Sequence, residues 1–225
     1  MEDIPLRKFF DTLGDRLKIY RDIKRKYNVY TASDFNVLDL FYVDENKISD
    51  LIAFLLNPFK EHGQSDVFLK DFFQKIGVPN KLVNFAPKIV EREHLTDKGG
   101  KIDIFIRLEK NGATYLLAVE NKPWAEERKD QVSDYVEYLE KYGNTGYKFL
   151  FLHRTGDIPK SIKKNKWEEL KNEGKVLNWS YDDLSEWLES CFKNCKAEKV
   201  RYIIFDFLNW IRKEFPVGGD NGSGN

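Results

Sequence analysis

The chain has 225 residues, 41% of them hydrophobic and 15% aromatic, which suffices for one sizeable core. Its 37 basic and 37 acidic residues cancel, which excludes a globally basic nucleic-acid binder and leaves only local patches to meet a polyanion. Met1 to Phe10 is charged and lacks a leader's apolar stretch, and no run approaches the roughly 20 apolar residues of a membrane span, so a soluble chain of a reducing cytoplasm is expected.

Residues 1–30 read as charged helix. Within them "KIYRDIKRKYNVY" interleaves basic and aromatic side chains, a pattern that suits either nucleic-acid contact or a helix with a solvated basic face. In "ENKISDLIAFLLNP", Ile48, Leu51, Ile52, Leu55 and Leu56 follow the helical period, and Asn57-Pro58 stops it. In "GQSDVFLKDFFQKIG", Ser65 is placed to cap a helix whose stripe is Val67, Phe68, Phe72 and Ile76, with Gly77 closing it.

Four or five strands follow. "KIVEREH" is the weakest of them, and "KIDIFIRL" alternates, with Ile102, Ile104, Ile106 and Leu108 on one face. "TYLLAVE" is nearly all apolar, which suits a central strand covered on both sides. "YKFLFLHR" and "KVLNWSY" complete the set. A helix over "EERKDQVSDYVEYLEKYG" carries Val132, Tyr135, Val136 and Leu139 in period. "DDLSEWLESCF" is the next helix, and a long last one has Val200, Ile203, Ile204, Phe207, Leu208 and Ile211 on its inner stripe. Cys191 and Cys195, four apart in helix, are poorly spaced for a bridge and read as semi-buried small residues. Residues 1–215 are expected to form one domain, and 216–225 a disordered tail. The element order implies an α/β or α+β fold with a mixed sheet flanked by helices.

Asn111-Gly112 lies between "KIDIFIRL" and "TYLLAVENK", the strongest short hairpin signal because a type I′ turn needs two positive φ angles. A two-residue loop pairs residues whose numbers sum to 223, so Leu108 faces Tyr115, Ile106 faces Leu117 and Asp103 faces Glu120. Directly opposed side chains share a face, about 4.5–5.5 Å apart at Cβ. Two carboxylates there repel, and a hard divalent cation between them reverses the sign. Alternation puts Lys122 on the same face, where its ammonium could hold and help deprotonate a water or stabilise charge on a phosphate. With three histidines and no Cys or His cluster, a zinc site is disfavoured, and oxygen-ligated Mg²⁺ or Mn²⁺ is expected.

Asp103, sixteen residues, then Glu120-Asn121-Lys122 resembles the signature of the PD-(D/E)XK nuclease superfamily, with Ile102 where a proline usually stands. "ENKISDLIAFLLNP" with "HGQSDVFLKDFF", the Gln-x-x-x-Tyr pair of "QVSDYVEYL", and "NWSYDDLSEWLE" are similar to the branch labelled PD-(D/E)XK family 4, over residues 40 to 190. The resemblance implies a restriction-endonuclease-like core with a central mixed sheet. It implies Mg²⁺ or Mn²⁺ held by Asp103, Glu120 and the Asn121 carbonyl, with Glu45 as a further metal or water ligand. It implies DNA as substrate, RNA not being excluded.

Glu45 also lies on the apolar stripe of its helix, three before Ile48, where a charge turned inward needs a partner; otherwise it is a first-turn glutamate favoured by the helix dipole. Gln131 and Tyr135, one turn apart, either orient Lys122 or touch a phosphate, or are ordinary helix decoration. His62 either approaches the site or a phosphate, or stabilises its own turn. Lys101, Arg128 and Lys129 are candidates to grip phosphate, with Lys163, Lys164 and Lys166 as an outer basic stretch. No base-reading motif is evident, so little sequence specificity is expected. The rival readings are a catalytically inactive nucleic-acid-binding subunit on a nuclease scaffold and a protein-interaction domain. Oligomeric state stays open, a homodimer included.

Overall fold

The centre of the sheet is set by one tight turn. Asn111 and Gly112 take φ values of 51° and 78°, the two positive angles a type I′ turn needs. The turn joins β2 (Lys101–Lys110) to β3 (Ala113–Lys122), and the register from Lys110↔Ala113 to Ile104↔Val119 is the one expected. The computed structural model describes residues 3–83 and 86–216, and the expected C-terminal tail falls almost wholly outside them.

Five strands lie in the order β1-β2-β3-β4-β5. β1 (Ala86–Leu95) runs antiparallel to β2, with an irregularity between Pro87 and Ile89, and is longer than "KIVEREH" suggests. β4 (Gly146–His153) and β5 (Val176–Trp179) continue the sheet in parallel beyond β3. Parallel neighbours need crossovers. The first is α5 (Gln131–Tyr142) and the second α6 (Lys164–Asn172). α6 is not expected from its sequence, since "KNKWEELKN" offers only Trp167 and Leu170 as an apolar pair; both are fully buried.

Before the sheet come α1 (Asp3–Thr31), a 3-10 turn over Val37–Leu40, α2 (Glu45–Leu56), α3 (Val67–Lys75) and the short α4 (Asn80–Val83). After it come α7 (Tyr181–Asn194) and α8 (Glu198–Glu214). Asp44 caps α2 by accepting the Lys47 N–H, and Ser180 with Asp183 forms a capping box on α7. The α3 cap is a correction: Asp66, not Ser65, precedes the helix, and Ser65 sits at φ 53°, outside cap geometry. Gly77 does end α3, with Val78 N–H bonded back to the Phe73 carbonyl.

The sheet is covered on both faces. One core joins Tyr115, Leu117 and Val119 of β3 to α2, α3, α7 and α8; the other joins Leu116 and Ala118 to α5 and α6. The final helix buries Ile204, Phe207, Leu208 and Ile211 as expected, while Ile203 turns outward at 39% exposure. Cys191 and Cys195 are both buried free thiols. No described helix is long and apolar enough to cross a membrane. The fold is thus a mixed five-stranded sheet flanked by helices, α/β in class, consistent with a restriction-endonuclease-like core.

Candidate active site

β3 stays buried to its last residue, so its charged end enters the protein rather than the solvent. Alternation sends Glu120 and Lys122 to the α5 side and Asn121 to the α2 side. The paired register ends at Ile104↔Val119, and Ile102 joins the opposite core from Ile104, Ile106 and Leu108, a correction to the expected alternation; Asp103 still lies near enough for its charge to act on Glu120. Asp103 Oδ2 accepts the Asn121 backbone N–H at 2.8 Å. Lys122 Nζ lies 3.0 Å from Glu120 Oε1 and 2.8 Å from Glu45 Oε1. Four of the expected site residues therefore converge, drawn from α2, β2 and β3.

Burial dominates the charges. Glu120 is 1% exposed, and its pKa is pushed up to about 8, first by desolvation and then by the Asp103 carboxylate. Asp103 rises to about 6, again chiefly through burial, while its bond from Asn121 holds it down. Burial presses Lys122 the other way, but Glu120 and Glu45 outweigh it and the net shift is upward. Two acids driven toward neutrality beside a lysine driven toward charge describe a site short of positive charge.

α5 presents two groups to this cluster. Gln131 Nε2 donates to Glu120 Oε1 at 2.6 Å, and its Oε1 accepts the Arg128 backbone N–H at 2.9 Å. Tyr135 accepts from Gln131 at 3.2 Å and donates to the Lys101 carbonyl at 2.7 Å. Both side chains are buried, and Gln131 is bonded to Glu120 rather than to Lys122. Gly100 makes room: a Cβ there would stand 2.8 Å from the Tyr135 ring.

Three supporting residues escape the sequence reading. Ser49 accepts from Asn121 Nδ2 at 3.0 Å, and Tyr181 donates to Asn121 Oδ1 at 2.7 Å. Together they lock the residue between the acid and the lysine from the far side of the sheet. Arg92 donates to the Asp103 carbonyl oxygen and pairs with Asp50 at 2.9 Å. Ser49 borders the α2 stripe and Arg92 lies in the weakest predicted strand; Tyr181, expected to end the strand "KVLNWSY", instead opens α7.

His62 is a correction. It is 1% exposed, its Nε2–H donates to the Asn57 carbonyl at 2.8 Å, and its Nδ1 accepts the Gln64 N–H at 3.0 Å. With Phe54 and Phe68 against the ring, no face is left for a phosphate, so it stabilises its own turn. Lys101 is exposed and 3.3 Å from Glu93, while Arg128 reaches Asp134 at 3.4 Å. Arg128 and Lys129 line a cleft of about 350 Å³ that opens beside Lys122 and also holds Trp124, His153 and Lys160. A second cleft, of about 480 Å³ between α5 and α6, shares Lys129 and Lys160 and continues to Lys163 and Lys166. Glu126 and Glu127 line the first cleft too, and Asp130, Glu137 and Glu140 the second, so lysines and carboxylates alternate along both.

The residues present fit a hard divalent cation. Glu120 Oε2 is buried without a hydrogen-bond partner, an acceptor that solvation cannot reach. Beside it stands Asp103, so the available donors are all oxygen, as Mg²⁺ and Mn²⁺ prefer. Among the described residues no three His, Cys, Asp or Glu side chains converge as a ready-made metal cage. Mg²⁺ is commonly held by one or two carboxylates with waters and substrate phosphates, so two carboxylates suffice.

A family model described as PD-(D/E)XK nuclease superfamily matches residues 35–209. That span takes in all five strands and every site residue from Glu45 to Tyr135, and leaves α1 outside. No significant match was found among curated proteins or among solved structures.

Proposed function

The chain belongs to the PD-(D/E)XK nuclease superfamily, and from that premise we propose that it is a divalent-metal-dependent nuclease hydrolysing phosphodiester bonds in DNA. Asp103, Glu120 and the Asn121 carbonyl would hold Mg²⁺ or Mn²⁺. When bound, the cation supplies Lewis-acid polarisation of the scissile phosphate and acidifies a water.

The protein's own groups do the rest. Lys122, held in its charged form by Glu120 and Glu45, is a poor general base at neutral pH; its role is to position the attacking water and offset charge on the phosphate. Gln131 fixes Glu120 through Oε1, so that Oε2 stays free. Glu45 sets the angle of the lysine. Lys129, Lys160, Lys163 and Lys166 are the groups that would meet phosphates, and the carboxylates of Asp130, Glu137 and Glu140 among them keep that grip modest. The observation that carries this reading is the unpartnered, buried Glu120 oxygen beside Asp103, on the same sheet face as Lys122.

The test is cleavage of plasmid, linear duplex, single-stranded DNA and RNA with Mg²⁺ or Mn²⁺. Asp103→Ala is expected to abolish cleavage while leaving the thermal melt near wild type. Normal cleavage by that variant would remove Asp103 from the site. The second reading is an inactive scaffold that binds nucleic acid, favoured by one observation: the Lys122 ammonium itself bridges Glu45 and Glu120. Titration calorimetry with Mn²⁺ separates them, since uptake of one or more ions belongs only to the first.

A further inference from the structure

α1 is the feature the nuclease reading leaves unexplained. It runs 29 residues, about 43 Å, and every described side chain from Leu6 to Thr31 is exposed or half-exposed. Most long helices are stabilised by packing an apolar face, and this one has such a face that none of the described residues covers. Leu6, Phe10, Leu13, Leu17 and Tyr20 follow one another at alternating steps of four and three, with Tyr27 a further heptad on and Phe9 and Ile23 flanking them. These eight are 40–61% exposed. Asp11, Asp15 and Asp22 lie on the opposite side of the helix. The alternating step is that of a two-helix seam, with Lys24 the one charge on it.

We propose that α1 pairs antiparallel with α1 of a second copy of this chain, making the protein a dimer through a two-helix coiled coil. Area supports a partner of this size. Eight large side chains left about half exposed offer on the order of 100 Å² each, so close to the roughly 800 Å² per partner of a stable interface. A single exposed patch on a monomer is usually about 300–600 Å².

Charge selects the direction. Residues 16–31 carry six basic residues against Asp22, a net +5, while residues 3–15 carry Asp3, Asp11 and Asp15 against Arg7 and Lys8, a net −1. Parallel pairing would set the two basic halves side by side. Antiparallel pairing sets each against the mildly acidic half of its partner. Size agrees: the reversed seam brings Leu6 opposite Tyr27 and Leu13 opposite Tyr20. Gly14, with nothing within 4 Å of where its Cβ would be, leaves room beside the Tyr20 ring. The seam does not depend on the catalytic reading.

Sedimentation equilibrium of the full chain at micromolar concentration is expected to give twice the monomer mass of 26.6 kDa. The double substitution Leu13→Glu and Leu17→Glu is expected to return the monomer mass. Because both residues lie outside the two cores, the thermal melt at high dilution is expected to stay the same. Direction is read by mixing Leu6→Cys and Tyr27→Cys chains: antiparallel pairing gives the mixed disulfide in excess, parallel pairing gives each chain joined to its own kind. A monomeric wild type, a mass unmoved by the double substitution, or self-joined cysteines would overturn the proposal. A monomer that loses duplex DNA affinity on the double substitution would assign the helix to nucleic acid. One that floats with anionic vesicles would assign it to a lipid surface.

Discussion

Lys122 and Lys148 sit on neighbouring strands and are 7% and 6% exposed, yet their surroundings treat them in opposite ways. Lys148 donates to the Gly174 carbonyl at 2.7 Å, and burial alone lowers its pKa. Lys122 feels the same burial, but Glu120 and Glu45 reverse the shift. A buried lysine with a neutral partner is a structural accommodation to the fold. One held between carboxylates that are themselves destabilised is part of a charge arrangement, and such arrangements gather where chemistry is done.

The sharpest break of this comparison is a pair of matched substitutions. Lys122→Met is expected to lower cleavage by about a thousandfold or more, the scale of losing one preorganised electrostatic group. Lys148→Met, equally buried, is expected to leave cleavage within about twofold of wild type, since no step of the chemistry uses it. Equal loss in both would mean that burial, not the charge partners, sets the effect. Gln131→Leu comes next. It frees Glu120 to turn, and a drop of about 10- to 100-fold in kcat with KM little changed is the expectation for a group that acts through another. A change in KM alone would make Gln131 a substrate contact instead.

The acids on Lys122's side of the comparison also predict a pH dependence. In the folded protein Asp103 and Glu120 bind protons more tightly than in the unfolded chain, with pKa values of about 6 and about 8. The metal-free protein therefore loses stability as pH rises from the ordinary carboxylate range through about 8. A cation must displace the Glu120 proton below that value, so Mn²⁺ affinity is expected to weaken by about tenfold per pH unit below about 8. Calorimetry in two buffers of different ionisation enthalpy reads the proton released. An affinity flat from pH 6 to 8 would show that Glu120 does not ligate. The smallest effect is on stability. Glu120→Gln removes a buried charge and is expected to raise the metal-free melt at pH 9 by about 2–4 °C, on the order of 1 kcal/mol. A lower melt would mean that the ion pair with Lys122 outweighs its desolvation.

Much of the site is legible because its geometry is local. Asn111-Gly112 demands one turn type and that turn fixes the register as far as Ile104↔Val119, one residue short of Asp103, whose side chain then takes the Asn121 N–H. Alternation carries Lys122 to the same face as Glu120, and the helical period puts Gln131 and Tyr135 side by side. His62 shows the limit of that approach: a loop histidine looks available in sequence, and only the packing of Phe54 and Phe68 against it shows that it is sealed. α6 shows another, since two apolar residues in nine give no periodic signal, and the helix exists because β4 and β5 run parallel and must be joined across the sheet.

The amino-acid sequence alone determined the hairpin, its register, the apolar run of β3 and the acid-x-lysine ending, because backbone sterics and side-chain alternation act over a few residues. Only the tertiary structure decided which distant groups close around that ending. Ser49 and Tyr181 reach Asn121 from 72 and 60 residues away, and Glu45 reaches Lys122 from 77. No local rule specifies such partners. They are chosen by which helix faces bury best against the sheet, and the pKa shifts follow from the desolvation that this burial imposes.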